Sequence, residues 1–271
     1  MRRLRRILGM VGFAMLASGC QGRSAQPEPL RLAAASDLRQ ALPILIAAFR
    51  QDRAIEVEFS SGSSGQLAEQ VRQGAPFDLF LSANRGFVDR LAKEGFVDAP
   101  SVLPYTRGTL VLAVNPVFNI HPKTLADLTR PEIKSIAIAN PDLAPYGIAA
   151  RQTLEHLNLW GTLKPKLVPA ESVHQALQFV RSGNAEVGFV SRALSDSPGL
   201  EFLQIPPDSH EPIVQYLGVV TRSVRKDDAR AFVEFLVGPV GQAMLKDLGF
   251  APTSGVVSSS KRVPEPKPEV P

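Results

Sequence analysis

Along this chain, short runs rich in β-branched and large apolar residues alternate with segments of helical periodicity. That alternation restricts the fold more than any other feature. It argues for the α/β class, with helices covering a largely parallel sheet. The runs at 30–34, 54–59, 77–82, 109–114, 135–139, 186–190 and 213–220 read as strands. Helical patterns lie near 37–50, 64–73, 85–94, 146–158, 171–182, 226–237 and 238–247. Pro43 falls inside the first of these, where a proline removes one hydrogen bond and kinks the helix. No internal repeat is visible, so solenoids and propellers are excluded.

The two ends have a different character. Arg2, Arg3, Arg5 and Arg6 precede an apolar stretch at 7–16 and the small residues Ala17, Ser18 and Gly19, which is the anatomy of a secretory signal peptide over 1–19. The apolar stretch is too short to span a bilayer. Small residues ahead of Cys20 resemble a bacterial lipobox, with the thiol diacylated and the chain anchored to a membrane. Ala17 departs from the usual leucine there, leaving cleavage without lipidation as the alternative. Cys20 is the only cysteine, so the mature chain has no internal disulfide and no cysteine-based metal cluster. A polar linker at 20–29 follows, and the proline-rich tail at 258–271 reads as disordered. Removing the four leader arginines leaves 26 basic residues against 26 acidic ones. The mature chain is about neutral and has no basic run, which argues against a nucleic-acid partner.

In such folds ligands sit at the carboxyl ends of strands. Four places there pass from strand to helix through small or hydroxyl side chains. AAASDL at 33–38 offers Ser36 as a helix cap or an anion donor. SSGSSG at 60–65 combines serine hydroxyls with glycines that let backbone amides approach a ligand, ahead of a helix N-terminus. NPDLAPYG at 140–147 has Pro145 at a first helical position, and PAESV at 169–173 opens a further helix.

Taken together, AAASDL at 33–38, the segment 60–84, NPDLAPYGIAA at 140–150, the segment 169–190 and GFAPTSG at 249–255 closely resemble the periplasmic molybdate-binding proteins of ABC importers. The resemblance covers residues 30 to 255. It implies a two-lobed periplasmic binding protein fold (type II), lobe 1 formed by 30–106 with 222–257 and lobe 2 by 107–221. It further implies an oxyanion, molybdate or tungstate, held between the lobes by Ser36 and Ser64 from the first and Tyr146 and Val173 from the second, largely through backbone N–H groups. Ser191 stands where some members carry a tyrosine hydroxyl, and is the weakest of these contacts. Ser63 is the alternative to Ser64. The partners implied are the permease of an ABC importer and, through Cys20, a membrane; the protein acts as a monomer, without a cofactor.

Elementary chemistry fits this reading. A fully deprotonated dianion offers only acceptors, so a site made of hydroxyl and N–H donors suits it. Protonated phosphate would want a carboxylate acceptor, and Asp37 in the first loop would improve the phosphate case if it faced the ligand. Sulfate presents the same charge and acceptors as molybdate, so a binding protein of the same fold for sulfate, phosphate or another small anion is the rival. An enzyme is not expected. His121, His156, His174 and His210 lack metal-site spacing, and no G-x-S-x-G, G-x-G-x-x-G or P-loop pattern occurs. Asp227 and Asp228 suit a helix start. Crossing strands near 105–113 and 213–221 would serve as the hinge.

Overall fold

A computed structural model describes residues 28–195 and 198–253. The leader, Cys20, most of the linker and the tail at 258–271 lie outside the described residues. Two five-stranded sheets organise the chain. The first contains β1 (Leu30–Ala35), β2 (Val57–Gly62), β3 (Leu79–Ser82), β4 (Leu103–Gly108) and β10 (Ile213–Val219), in the order β2-β1-β3-β10-β4. The second contains β5 (Leu110–Val114), β6 (Ile136–Ala139), β7 (Leu167–Ala170), β8 (Val187–Ser191) and β9 (Glu201–Gln204), in the order β7-β6-β8-β5-β9.

The sheets are mixed rather than largely parallel. In each, three parallel strands form one half, and two strands paired antiparallel complete it. Strands β7 and β9 were not expected from the sequence, and β4 only as part of the crossing segment near 105–113. Strand β7 contains Pro169, which reads as a break; it is tolerated because β7 is an edge strand bonded only to β6. Strand β2 lies further along the chain than its apolar pattern suggests. Pairing in register from Leu30↔Val57 to Ala35↔Gly62 carries the serines into the strand and delivers the Ser63–Ser64 turn to the end of the sheet.

The helix expected at 37–50 is two pieces, a 3-10 turn at Ser36–Leu38 and α1 (Ala41–Phe49). Pro43 therefore sits in the first turn of α1, where no preceding carbonyl awaits its missing N–H, and no kink arises. Next come α2 (Ser64–Arg72), α3 (Arg85–Lys93), α4 (Pro145–His156), α5 (Trp160–Leu163), α6 (Val173–Arg181), α7 (Lys226–Val237) and α8 (Pro239–Asp247). Asp227 and Asp228 lie in the first turn of α7, where carboxylates favour the helix dipole. Phe49 of α1 meets Phe232 of α7 edge to face at 5.0 Å, locking these helices over the first sheet.

The chain crosses from β4 directly into β5 and returns through β10. Strand β10, which the expected division counted with lobe 2, is bonded into the first sheet between β3 and β4. Near the end of the described chain, Ala251 exchanges two backbone hydrogen bonds of 2.8 Å with Arg107, pinning the crossing. The apolar core of the second lobe also takes in Ala35 and Ala83 from the first, so the lobes are packed against each other across the cleft. Among the described residues, no helix is long and apolar enough to cross a membrane.

Candidate functional site

Four strand ends meet at the cleft, and each opens a helical turn. The Ser36–Leu38 turn follows β1, α2 follows β2, α4 starts after β6, and α6 starts after β7. The first amides of a helix have no acceptor within it, so the starts of α2, α4 and α6 turn first-turn N–H groups and partial positive charge toward one volume, beside the Ser36–Leu38 turn. A compact cavity there is lined by Ser36, Asp37, Ser63, Ser64, Tyr146 and Val173, among others. Size alone would have pointed elsewhere. A cavity of about 580 Å³ at the far end of the first sheet is lined by charged side chains that largely pair with one another, such as Arg31 with Glu28 and Arg225 with Asp228.

Each residue reaches the cleft for a local reason. Ser36 is not the cap of the turn: Ala35 holds that position, and Ser36 is the first residue inside it. Ser63 caps α2 in a reciprocal box with Gln66, which engages its hydroxyl. The hydroxyl of Ser64 accepts from the buried Ala83 N–H at 3.0 Å, which orients it and leaves its own proton to donate. Tyr146 follows Pro145 at the start of α4. Val173 is the first residue of α6, behind the Ser172 cap. Ser191 is buried but does not line the cavity. Its hydroxyl donates to the Tyr146 hydroxyl at 2.9 Å and accepts from the Ala193 N–H, placing it behind the tyrosine.

Behind the cavity runs a buried polar chain. Tyr105 donates to Gln215 at 2.7 Å, Gln215 donates to Asp37 Oδ2, and Tyr146 donates to the same oxygen at 2.8 Å. The chain ties lobe 1, the crossing strands and lobe 2 together. Burial pushes the Asp37 carboxyl up to about 6, against the hydrogen bonds that favour its charge. Burial, with the Asp37 charge in second place, pushes the Tyr105 and Tyr146 hydroxyls well above their ordinary range, so both stay protonated. Gly108, at the crossing, has Tyr146 so close that a Cβ there would lie 1.9 Å from the tyrosine oxygen.

Gly65 makes a second seam. Its N–H donates to the Leu143 carbonyl across the cleft at 3.0 Å, and a Cβ at 65 would sit 2.9 Å from that oxygen. Sequence reasoning missed Tyr105, Gln215 and the Gly65–Leu143 contact. Gln215 left a faint signal, a polar residue at an inward position of β10, between Ile213 and Leu217.

A two-lobed α/β protein whose cleft gathers helix N-termini and serine hydroxyls, away from any lysine or arginine lining, is a solute-binding protein for small anions. More narrowly, the chain belongs to the family of bacterial extracellular solute-binding proteins, whose model matches residues 30–251. It is 35% identical over 243 residues to the molybdate-binding protein ModA of Azotobacter vinelandii, covering 87% of this chain and 94% of that one. The solved structure of the A. vinelandii periplasmic molybdate-binding protein matches with a TM-score of 0.76 at 33% identity, covering 82% and 98% of the two chains. The sulfate-binding protein SubI of Mycobacterium tuberculosis, at 20% identity and TM-score 0.73 over 84% and 88%, shares the fold alone.

Proposed function

We propose that this protein captures molybdate, and tungstate by the same contacts, outside the cytoplasmic membrane and delivers it to the permease of an ABC importer. The observation that carries the reading is the convergence of four helical starts, with the oriented Ser64 hydroxyl, on one buried cavity. Ser36 and Ser64 supply hydroxyls from lobe 1. Tyr146 and Val173 supply backbone N–H groups from lobe 2. Ser191 acts through Tyr146 rather than on the anion. The ion is cargo: no bond in it is made or broken, and no cofactor takes part.

Ser36, Ser64, Tyr146 and Val173 are each at most 5% exposed, so the lobes must part for an ion to enter. The crossing at Gly108 and the entry to β10 are where the chain can absorb that motion. Cys20 fits a lipid tether that keeps the carrier beside its permease.

A thermal-shift titration with molybdate, tungstate, sulfate and phosphate tests the reading. An ion at a thousand times its dissociation constant stabilises by about 4 kcal/mol, on the order of 8–16 °C at this length. Molybdate and tungstate are expected to give that shift and sulfate far less. A shift dominated by sulfate or phosphate would replace the substrate, and no shift with any ion would remove the reading.

A further inference from the structure

A site made only of donors has no use for a carboxylate, yet one stands in this cleft. Asp37 is fully buried and lines the same cavity as Ser36, Ser64, Tyr146 and Val173. No ion pair among the described residues includes it. Its Oδ2 takes both side-chain hydrogen bonds, from Tyr146 and Gln215. Its Oδ1 is buried and has no hydrogen-bond partner among the described residues. The amides of Asp37 and Leu38 favour the carboxylate charge, but neither closes a hydrogen bond to Oδ1. A buried acceptor left unpaired costs about 1–3 kcal/mol, so this oxygen calls for a proton.

We propose that Asp37 determines specificity: its Oδ1 shares one proton with an oxygen of the bound oxyanion, and this bond favours molybdate over sulfate. The proposal rests on the oxyanion reading above. The proton comes from solvent on binding and ends between Oδ1 and a ligand oxygen; no other bond forms or breaks. The dianion thereby lies beside a neutral carboxyl instead of a like charge. Hydrogen sulfate is a stronger acid than hydrogen molybdate, so a sulfate oxygen is the poorer acceptor of that proton. Two dianions of equal charge that carry no proton of their own are then separated by basicity as well as by size, whereas hydrogen phosphate brings its own proton to Oδ1 and can be turned away only by size.

The surroundings are consistent with this role. The carboxyl is already held near 6 by burial, so protonating it near neutrality is inexpensive. The groups facing it are neutral: Tyr105 of β4 and Tyr146 of α4 keep their protons, and Gln215 of β10 carries no charge. Arg39 on its own segment and Arg192 on the turn packed against Ser36–Leu38 are exposed cations. His174 at the start of α6 is the other group able to gain a proton when a dianion arrives. It is half-buried and its pKa is lowered, first by burial and then by Arg39 and Arg181.

Calorimetry of molybdate binding in two buffers of different ionisation enthalpy, at about pH 8, counts the protons taken up. The His174→Gln protein is expected to take up close to one proton per ion. The Asp37→Asn protein should lose that uptake, and its preference for molybdate over sulfate should fall by about tenfold or more. Asparagine keeps an acceptor for Tyr146 and turns a permanent donor toward the ligand, so sulfate gains most. No uptake in His174→Gln overturns the proposal even if Asp37→Asn does not fold. An unchanged preference in folded Asp37→Asn overturns it as well. If wild-type protein binds neither ion, the oxyanion reading itself has failed, and the proposal falls with it.

Discussion

The two lobes are built to one plan and meet the ligand in two ways. Each has three parallel strands continued by two antiparallel ones, and each sends two helical starts into the cleft. Lobe 1 presents hydroxyl side chains there, Ser36, Ser63 and Ser64. Lobe 2 presents Ala144, Tyr146 and Val173, whose side chains pack into its core while their segments face the cavity, with Pro145 beside them. Side-chain donors can be removed by truncation, whereas backbone donors survive almost any substitution. On the proposed contacts, the comparison teaches that lobe 2's share of binding would be invisible to an alanine scan.

The largest effect should come from Ser64→Ala. It removes a proposed ligand donor and also strands the buried Ala83 N–H, which now donates to the hydroxyl. Affinity for molybdate should fall by about 100-fold, as expected for a hydrogen bond to a charged group, and the unliganded protein should lose about 1–3 kcal/mol in denaturant unfolding. An effect on only one of the two would show that the hydroxyl serves a single partner.

Next is a pH dependence that belongs to the seam between the lobes. The Asp37 carboxyl is raised from 3.8 to about 6 in the folded protein, so between about pH 4 and 6 the folded state holds the extra proton. Stability of the unliganded protein should therefore fall as pH rises through that window, by on the order of 3 kcal/mol, and level off above it. Unfolding curves of Asp37→Asn should lack this component. A component of the opposite slope would mean that the hydrogen bonds from Tyr146 and Gln215 outweigh burial.

The smallest of the three effects sharpens the comparison most directly. Val173 occupies the first helical position of α6, where proline is tolerated, and Ser172 before it is extended with ψ 164°, as a residue ahead of proline requires. Val173→Pro should delete one N–H donor without breaking the helix and weaken molybdate by about 10–100-fold. Val173→Ala should leave affinity within about threefold. Equal losses in both would mean that the side chain, not the amide, makes the contact.

The passages that line the candidate cavity were legible in the sequence because they are local, while the choice of residues within them came from the family resemblance. Ser36, Ser64, Tyr146 and Val173 each sit at a strand-to-helix passage marked by small residues, a cap or a proline, and the structure brings all four to one cavity. Ser191 was placed too near: it ends β8, and its hydroxyl donates to Tyr146 instead of lining the cavity. Ser63 and Ser64 both line the cavity, and how each hydroxyl is held needed coordinates. The capping box that occupies Ser63 and the Ala83 bond that orients Ser64 depend on where α2 begins, and on a strand nineteen residues away.

By itself the sequence determined the α/β alternation, the positions of the helical starts and the chemistry of the donors. These follow from periodicity, capping and turn residues acting over a few positions. Tertiary structure alone decided which strands run antiparallel, that β10 joins the first sheet, and that Asp37, Tyr146, Gln215 and Tyr105 form one buried chain. Those partners lie more than a hundred residues apart, and the Asp37 carboxyl is shifted by burial that no local pattern encodes.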